Sequence, residues 1–473
     1  FLPKAPGDGA LKLYINPNKT FLYAFGIIST LLLTGGGVLF SLHSYATFWF
    51  LAFVCANAFY LSLSYILGAF AKPFDYAHHD SIRYAHKYFK PTVDIYLPTA
   101  GEPLAILKNT YHHVDQLKWD QKNLNVYVLD DKNRMEVALL AHAFGFKYIA
   151  RTNAPYLKKA GNIRNAFAQT GGEYILILDA DFCPRPDFLE NTVPYMIANK
   201  NLGILQTPQF FTVEDHQPWI QRGAASVQEL FYRLIQVNRN QYGASICVGT
   251  CALYRRSALA PHGGTYPIEH SEDVHTGFQL LKDGWDIRYI PVNLAAGACP
   301  DTREAFFNQQ YRWCLGSTSL FLNRELFWKT RLKFMQRLSF LSGMLYYQAT
   351  AIGIFFTPFP GLYTLFFSPE NVHIYNAVFS LPSLLFGTLH MKMWNKQPYG
   401  LFVVRTKMIS YWSHLFAIKD KILGTAMGWE ATGKVGGGSR RFKLAMRGML
   451  SWNLIVTLLV FVGCCVHMGD GTI

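Results

Sequence analysis

Four long stretches without a charged side chain limit what this chain can fold into. The first runs from Phe21 to Ala71, which is enough for two membrane-spanning helices of ~20 residues each. Glycines 35–37 and the His43-Ser44 pair are predicted to form the turn between them. The other stretches cover residues 338–369, 371–391 and 448–469. One such stretch suits a buried helix, but four together predict an integral membrane protein.

The polar residues lie mostly between these apolar ends. Residues 72–335 have an ordinary globular composition, so the sequence predicts an N-terminal membrane part (1–71), a soluble segment (72–335) and a second membrane part (336–473). Within the second part, Pro358 and Pro360 are predicted to end or kink a helix, and Pro382 lies inside the next one.

The net charge of +14 is concentrated beside the spans. Residues 392–447 hold eleven Lys or Arg against Asp420 and Glu430. Positive charge beside membrane spans marks the cytoplasmic face of a membrane, so the soluble segment is predicted to be cytosolic. Because the charge is concentrated beside the spans, nucleic acid is not predicted as a partner. The eight cysteines are scattered without a CxxC pair, which predicts neither a zinc site nor a disulfide framework. The chain starts at Phe1, so we expect native residues before it, and no signal peptide is predicted.

Short apolar runs alternate with helical patterns through the soluble segment. Residues 103–117 and 134–145 have helical patterns. The predicted strands are 92–98, 124–130, 146–150, 173–180 and 202–208. Near-continuous apolar strands separated by helices predict a parallel sheet with crossover helices, in which ligands bind beyond the carboxyl ends of the strands.

Acidic pairs follow two of these strands. Asp130-Asp131 ends one strand, and Asp179 and Asp181 of "DAD" end another. One such pair is more often a turn or a helix cap, but two pairs at one sheet edge favour a divalent metal that in turn binds a diphosphate. Neither a P-loop nor a GxGxxG motif is present.

Three further motifs carry charged or aromatic side chains on predicted helices. Lys159, near a helix start, suits an anion or a solvated basic face. Glu272 and Asp273 of "SED" suit a general base or a helix cap. The motif "QQYRW" contains Gln309, Arg312 and Trp313. These side chains suit either a substrate-binding site or an aromatic core helix with one snorkelling arginine.

Taken in order, these motifs resemble the family-2 glycosyltransferases, and within them the processive membrane synthases of the cellulose synthase type. The family pattern D…DxD…TED…QxxRW is matched by Asp130, residues 179–181, residues 271–273 and residues 309–313. Further matches are "KAGN" at 159–162, "QTPQFF" at 206–211, "CVGTCALYRR" at 247–256 and "WEATGK" at 429–434, which is similar to the family's mobile gating loop.

The resemblance implies a fold in two parts. It is an α/β GT-A-like nucleotide-sugar transferase domain inserted in an α-helical transmembrane channel domain. Interface helices are expected near 221–240 and 303–330, an amphipathic interface helix at 401–423, and the gating loop at 426–440. The resemblance also leads us to expect one more span and a cyclic-dinucleotide-binding domain, neither of which is present before Ile473.

The resemblance also implies the roles of individual residues. Asp273 would be the general base, beside Glu272. Arg312 would offset charge on the leaving UDP, Gln309 would help to fix that site, and Trp313 would form a floor for the acceptor sugar. Asp179 and Asp181 would bind Mg²⁺ or Mn²⁺. The residues expected to bind substrate are Thr99, Glu102, Asp130, Lys159, Asp179, Gln206, Gly249, Thr250, Trp429, Thr432 and Lys434.

The function implied is a processive, inverting β-glucan synthase in the plasma (inner) membrane, using UDP-glucose and exporting the growing polymer. A β-1,4 product is favoured, with a mixed 1,3/1,4 or 1,3 product next, and a chitin- or hyaluronan-type synthase after that. A lipid-linked sugar transferase and a transporter with an inert transferase-like domain are the remaining alternatives. The departures Ser271, Gln209, Trp429 and Ala431 put the sugar and linkage in doubt more than the reaction. An accessory subunit and a homo-oligomer are left open.

Overall fold

The first apolar stretch folds into two long helices. The structure is a computed structural model that describes residues 2–425 and 439–469. Its N-terminal helices are α1 (Asp8–Leu11), α2 (Thr20–Leu42), α3 (Phe50–Ala69) and α4 (Tyr76–Ala85). The predicted turn at His43-Ser44 is confirmed, since both residues lie between α2 and α3, but its extension to glycines 35–37 is wrong, because they lie inside α2. A Cβ at Gly36 would lie 2.6 Å from Phe379 Cβ, and one at Gly37 would lie 2.8 Å from Val54 Cγ2. These glycines let neighbouring helices approach closely, as small residues do in membrane helix pairs.

The soluble segment is an α/β unit, as predicted. Its strands are β1 (Val93–Thr99), β2 (Leu124–Asp130), β3 (Lys147–Ala150), β4 (Tyr174–Ile177), β5 (Cys183–Pro184), β6 (Leu202–Gln206), β7 (Phe210–Phe211), β8 (Ala252–Arg255), β9 (Asp286–Tyr289) and β10 (Ala295–Gly297). Seven form one sheet in the order β3-β2-β1-β4-β8-β6-β9, and β5-β10-β7 form a second. All seven residues of β1 are buried, as befits a strand covered on both faces.

The sheet is mixed rather than parallel throughout. β8 runs antiparallel to both of its neighbours, β4 and β6, whereas the other pairs of the large sheet are parallel. The prediction of a wholly parallel sheet is therefore wrong at this strand. β8 has four residues, and a run that short indicates a strand without indicating its direction.

Helices cover the sheet and lead into the second membrane part. They are α5 (Leu104–Asp115), α6 (Met135–Ala143), α7 (Lys158–Gln169), α8 (Phe188–Ala198), α9 (Trp219–Leu230), α10 (Gln236–Asn240), α11 (Arg256–Leu259), α12 (Glu272–Lys282) and α13 (Arg303–Leu322). A π-helical turn, Phe231–Ile235, joins α9 to α10. The helices expected near 221–240 and 303–330 are thus present, and a second π-helical turn, Arg324–Trp328, follows α13.

The C-terminal part is helical almost throughout. Its helices are α14 (Phe334–Phe356), α15 (Phe359–Phe367), α16 (Ala377–Leu385), α17 (Met391–Trp394), α18 (Leu401–Ile422) and α19 (Arg440–Gly469). Pro358 stands at the break between α14 and α15, where a kink or an end was predicted. The helix at the range expected, 401–423, is α18. It packs on α13, where Ser413 Oγ donates a 2.7 Å hydrogen bond to Phe307 O.

Four helical segments of the described chain are long and apolar enough to cross a membrane. They are Thr20–Leu42, Phe50–Ala69, Phe334–Phe367 and Arg440–His467. The apolar stretch 371–391 folds differently, because α16 and α17 are joined by a π-helical turn, Phe386–His390, with Pro382 inside α16. The apolar helices at both ends of the chain therefore flank the α/β unit.

The buried carboxylate of Glu229 ties α9 to the segment before α18. Glu229, whose side chain is fully buried, accepts hydrogen bonds from Arg233 Nη1 at 2.7 Å and from the N–H of Gln397 at 2.9 Å. Glu229→Gln would leave the buried guanidinium without its carboxylate, which typically costs about 3–5 kcal/mol. We expect a clearly lower melting temperature in detergent for this variant.

The matched control is Glu190→Gln. Glu190 pairs with Lys90, and its side chain is 37% exposed, so its loss should change the melting temperature little. Equal melting temperatures for the two variants would show that the Glu229 pair does not hold the two segments together.

Candidate active site

Two neighbouring strands of the large sheet end side by side at one edge. Thr99, the last residue of β1, is in register with Asp130, the last residue of β2. Thr99 Oγ1 donates to Glu102 Oε2 at 2.5 Å, and Arg134 Nη2 donates to Thr99 Oγ1 at 3.1 Å. The structure thus brings Thr99, Glu102 and Asp130 together, as predicted. It adds Arg134, a bridge that sequence reasoning missed although it stands four residues after Asp130.

The carboxylate of Asp130 is used within the protein. It is fully buried and accepts hydrogen bonds from the backbone N–H groups of Lys132 and Arg134, at 3.0 and 2.7 Å, and from Tyr148 Oη at 3.1 Å. Asp130 therefore shapes the turn from β2 to α6. Asp131 accepts hydrogen bonds from Arg151 on both carboxylate oxygens, at 2.6 and 2.8 Å. All four carboxylate oxygens of Asp130 and Asp131 are therefore occupied, and the prediction of Asp130-Asp131 as a metal-binding pair is wrong.

The "DAD" segment follows β4 and lies beside Lys159 of α7. Lys159 Nζ donates to Asp179 Oδ1 and, at 2.9 Å, to Gly249 O. The Asp179 N–H donates to Thr250 Oγ1 at 2.8 Å. Burial lowers the pKa of Lys159, but Asp179 and Glu272 raise it more, and the net shift is upward. Lys159 is therefore a firmly charged ammonium group in the centre of the acidic residues.

Asp181 differs from Asp179 in its electrostatic environment. Burial raises the pKa of Asp181 to about 7, and the nearby Asp179 carboxylate adds to the rise. Two carboxylates pressed together in this way attract a cation, and Mg²⁺ commonly uses one or two protein carboxylates together with phosphate oxygens and water. No group of three or more His, Cys, Asp or Glu side chains that could hold a metal occurs within residues 2–425 and 439–469. Asp179 and Asp181 thus fit a cation that shares its remaining ligands with a substrate.

The loop before β8 is held rigidly beneath these carboxylates. Gln206, at the end of β6, is fully buried, and its amide bonds Thr250 O and the Val248 N–H at 2.8 and 2.9 Å. Gln206 and the fully buried Thr250 therefore support the site from within, and their predicted contact with substrate stays a prediction. Hydrogen bonds between distant segments decide this, and no local pattern indicates them.

Asp273 approaches this loop from the other side. It stands in the first turn of α12, whose N-cap, Ser271, makes no side-chain capping bond. A Cβ on Gly249 would lie 2.8 Å from Asp273 Oδ2, and the φ of Gly249 is +77°, so only glycine fits here. Burial raises the pKa of Asp273 to about 7, and the Glu272 carboxylate adds to the rise. A carboxyl group with a pKa near neutrality is suited to proton transfer.

The third side of the site is α13. Burial lowers the pKa of Arg312 to about 10, although Asp179 and Glu272 act in the opposite direction. Gln309 Oε1 is buried without a hydrogen bond to any part of the chain that the structure describes. Trp313 follows Arg312 and is half-buried. The structure therefore brings together the predicted residues of four separate motifs, on α7, β4, α12 and α13.

The turn that carries Arg312 is fixed from behind. Tyr311 Oη donates to Asp420 Oδ2 at 2.9 Å, and Arg441 Nε donates to the same oxygen at 2.7 Å. Asp420 is 1% exposed and joins α13, α18 and the start of α19, which sequence reasoning missed. The predicted site residues Trp429, Thr432 and Lys434, and the gating loop at 426–440 apart from its last two residues, lie outside the described residues.

The chain is similar to known proteins in sequence and in fold. The sequence profile of the family described as glycosyl transferase family group 2 matches residues 174–427, more than half of the chain. The UDP-forming cellulose synthase 1 catalytic subunit of Komagataeibacter xylinus is 32% identical over 356 residues, which cover 72% of this chain and 47% of that protein. The UDP-forming cellulose synthase catalytic subunit of Pseudomonas fluorescens is 31% identical over 331 residues, which cover 69% and 43%. The chain thus spans about half the length of the curated relatives it matches.

A solved structure shows the same fold. A mannosyltransferase from Pyrobaculum calidifontis, solved in complex with GDP-Man and Mn²⁺, superposes with a TM-score of 0.52 at 14% identity and covers 77% of this chain and 99% of its own. An identity this low shows the fold alone. The predicted GT-A-like α/β fold is therefore confirmed.

Proposed function

Because the chain belongs to glycosyl transferase family group 2, we propose that it is a processive, inverting β-glucan synthase that transfers glucose from UDP-glucose and moves the growing glucan across the membrane. The observation that carries the proposal is the convergence of Lys159, Asp179, Asp273 and Arg312 on one site, in a chain whose two ends carry apolar helices. The cellulose synthase subunits at about 30% identity favour a β-1,4 product.

The donor end of the site is built for a nucleotide diphosphate. Thr99, Glu102 and Asp130 form the edge that receives uridine and ribose, and the ammonium group of Lys159 binds the diphosphate. Asp179 and Asp181 would hold Mg²⁺ or Mn²⁺, and when bound this ion neutralises diphosphate charge. Gln206 and Thr250 act by fixing the loop beneath these groups.

The reaction is a single displacement at the anomeric carbon. Asp273 takes the proton from an acceptor hydroxyl, whose oxygen bonds to the anomeric carbon as the bond to the UDP oxygen breaks. UDP leaves with that electron pair, and the guanidinium of Arg312 stabilises the charge that develops on it. Attack opposite the leaving group converts an α-linked donor into a β-linked product. Trp313 offers its indole face to the terminal sugar, next to Gln309.

Polar groups are buried in the membrane part and where the soluble segment meets it, as a sugar conduit requires. Arg239, at the end of α10, is 5% exposed, and its Nε is buried without a hydrogen-bond partner among the described residues. It packs against α14, where a Cβ on Gly343 would lie 2.0 Å from Arg239 Nη2. His414 of α18 bonds Thr350 of α14 at 2.8 Å, and the ring of Tyr347 lies 4.9 Å from it. A polymer rich in hydroxyl groups needs such partners, because it cannot cross hydrocarbon unaided.

The proposal includes the placement of each part. Residues 1–71 and 336–473 form the transmembrane channel in the plasma (inner) membrane, and residues 72–335 form the cytosolic transferase domain. The Lys and Arg excess of residues 392–447 supports this orientation. The donor, the growing glucan and the surrounding lipids are the partners that the chemistry requires.

The rate of glucan synthesis is expected to fall as the pH is lowered through about 7. Burial raises the pKa of Asp273 to about 7, with Glu272 adding to the rise. Below that pH the carboxyl group holds a proton and accepts no other, so the rate should fall about tenfold per pH unit. Initial rates of UDP release at donor concentrations well below KM, which report the ionisation of the free enzyme, test this, with melting temperatures at each pH as the control. A rate independent of pH between about 5.5 and 8.5 would rule out a base with this pKa.

The proposed function is tested by sugar incorporation. Purified protein in detergent receives radiolabelled UDP-glucose or UDP-N-acetylglucosamine with Mg²⁺ or Mn²⁺, and the product is digested with linkage-specific glucanases. A glucose polymer cut only by β-1,4-glucanase is the expected result. A product that needs a 1,3- or mixed-linkage enzyme would keep the mechanism and change the linkage. Incorporation from UDP-N-acetylglucosamine alone would favour a chitin- or hyaluronan-type synthase, and no polymer from either donor would contradict the proposal.

A further inference from the structure

The helix that carries the base and the helix that carries the acceptor floor touch at one point. Gly316 of α13 lies one helical turn after Arg312 and Trp313 and therefore on the same side of the helix. A Cβ on Gly316 would lie 1.8 Å from Ser271 Oγ and 2.3 Å from Ser271 Cβ, but 3.8 Å from Ser271 Cα. The Ser271 side chain thus occupies the space that any larger residue at 316 would need.

Ser271 does not act as an ordinary helix cap. Serine at an N-cap usually accepts a backbone hydrogen bond from the first turn, but Ser271 makes no such bond. Its hydroxyl instead donates a long bond of 3.4 Å to Arg312 O. Its φ is +56°, which is uncommon for a residue other than glycine. The carbonyl of Ser271 is held separately, 2.9 Å from His275 Nδ1.

We propose that Ser271 and Gly316 form a fitted spacer that sets the distance between Asp273 and the Arg312–Trp313 turn. Asp273 follows Ser271 by two residues, so a shift of Ser271 moves the base relative to the acceptor. Both are positioning residues, and the inference rests on the proposed function. A misplacement of about 1 Å between reacting groups can lower a rate about 10²-fold.

A size swap tests the spacer. Gly316→Ala alone overfills the contact and should lower kcat about 10²-fold, with little change in the KM for UDP-glucose. Ser271→Gly alone underfills it and should lower kcat less, because glycine adopts the φ of +56° without strain. In the double variant S271G/G316A the new methyl group takes the place of the serine side chain, and kcat should return to within about tenfold of the unsubstituted protein.

A second measurement separates positioning from general damage. The fraction of UDP released without sugar incorporation should rise in Gly316→Ala, because water adapts to a displaced base better than a held sugar does. Gly171→Ala is the control, since nothing lies within 4 Å of a Cβ at Gly171 and its activity should be unchanged.

The outcomes are separable. A double variant that binds UDP and turns over at least tenfold faster than Gly316→Ala supports the spacer, including the case in which Gly316→Ala alone fails to fold. A double variant that binds UDP but stays as slow as Gly316→Ala, or a Gly316→Ala variant with full activity, overturns it. If the unsubstituted protein makes no polymer, the proposed function fails instead.

Discussion

Asp273→Asn is expected to lower the rate of glucan synthesis about 10³-fold and to leave UDP binding unchanged. General-base catalysis typically contributes 10²–10⁴-fold, and asparagine cannot take the acceptor's proton. The substitution keeps the side chain's shape and can keep the 2.8 Å hydrogen bond that Val274 N–H donates to Oδ1. It also removes a charge that repels the neighbouring Glu272, so the fold should be retained.

The control for Asp273→Asn lies on the same helix. Asp283 is the C-cap of α12 and pairs with His262 away from the reaction centre, so Asp283→Asn should retain nearly full activity. Radiolabel incorporation gives the rate, and isothermal titration with UDP gives the binding constant. Polymer output at the unsubstituted rate from Asp273→Asn would exclude Asp273 as the base.

Asp181→Asn is expected to lower turnover at least about 10²-fold and to raise the Mg²⁺ or Mn²⁺ concentration needed for half-maximal rate. Loss of even an outer partner of a metal ligand typically costs 10–100-fold in affinity, and Asp181 is one of the two carboxylates of the proposed metal site. Chelation of the unsubstituted protein should stop UDP release, and added Mg²⁺ or Mn²⁺ should restore it. Metal binding itself is followed by the electron paramagnetic resonance signal of free Mn²⁺.

Stability distinguishes this effect from misfolding. Burial and Asp179 raise the pKa of Asp181 to about 7. Above that pH and without a bound cation, the ionised Asp181 carboxylate lowers the free energy of unfolding. Asp181→Asn should therefore melt at the same temperature as the unsubstituted protein, or higher, in chelator. Asp286 is an exposed strand residue, so Asp286→Asn should change neither the metal concentration needed for half-maximal rate nor the melting temperature. Full turnover of Asp181→Asn at low metal concentration would contradict the metal site.

Much of the α/β unit could be predicted because its strands are buried on both faces and leave near-continuous apolar runs. All five predicted strands are present within two or three residues of their predicted ends. The missed strands β5, β7, β8, β9 and β10 have two to four residues each. Runs this short give an ambiguous period, although β3 and β4, which also have four residues, were predicted. The turn at glycines 35–37 was wrong because glycine, a sign of a turn in water, permits close helix packing in an apolar setting.

The site was predictable to the extent that its chemistry depends on residue type. Asp179, Asp181, Asp273 and Lys159 were singled out by their charge at element ends, and the family resemblance implied their roles. The supports of the site, such as Arg151 beside Asp131 and Asp420 beside Tyr311, join segments 20 and 109 residues apart. No local pattern indicates such pairs, so only the fold reveals which carboxylates are already neutralised.

The most direct test of the central claim is polymer synthesis across a sealed membrane. The purified protein is reconstituted into sealed vesicles, radiolabelled UDP-glucose is added outside, and the labelled product is treated with β-1,4-glucanase before and after detergent. The glucan is expected to resist the enzyme until detergent opens the vesicles, because the protein both makes the polymer and carries it through. A product that is digested fully without detergent would contradict coupled synthesis and translocation.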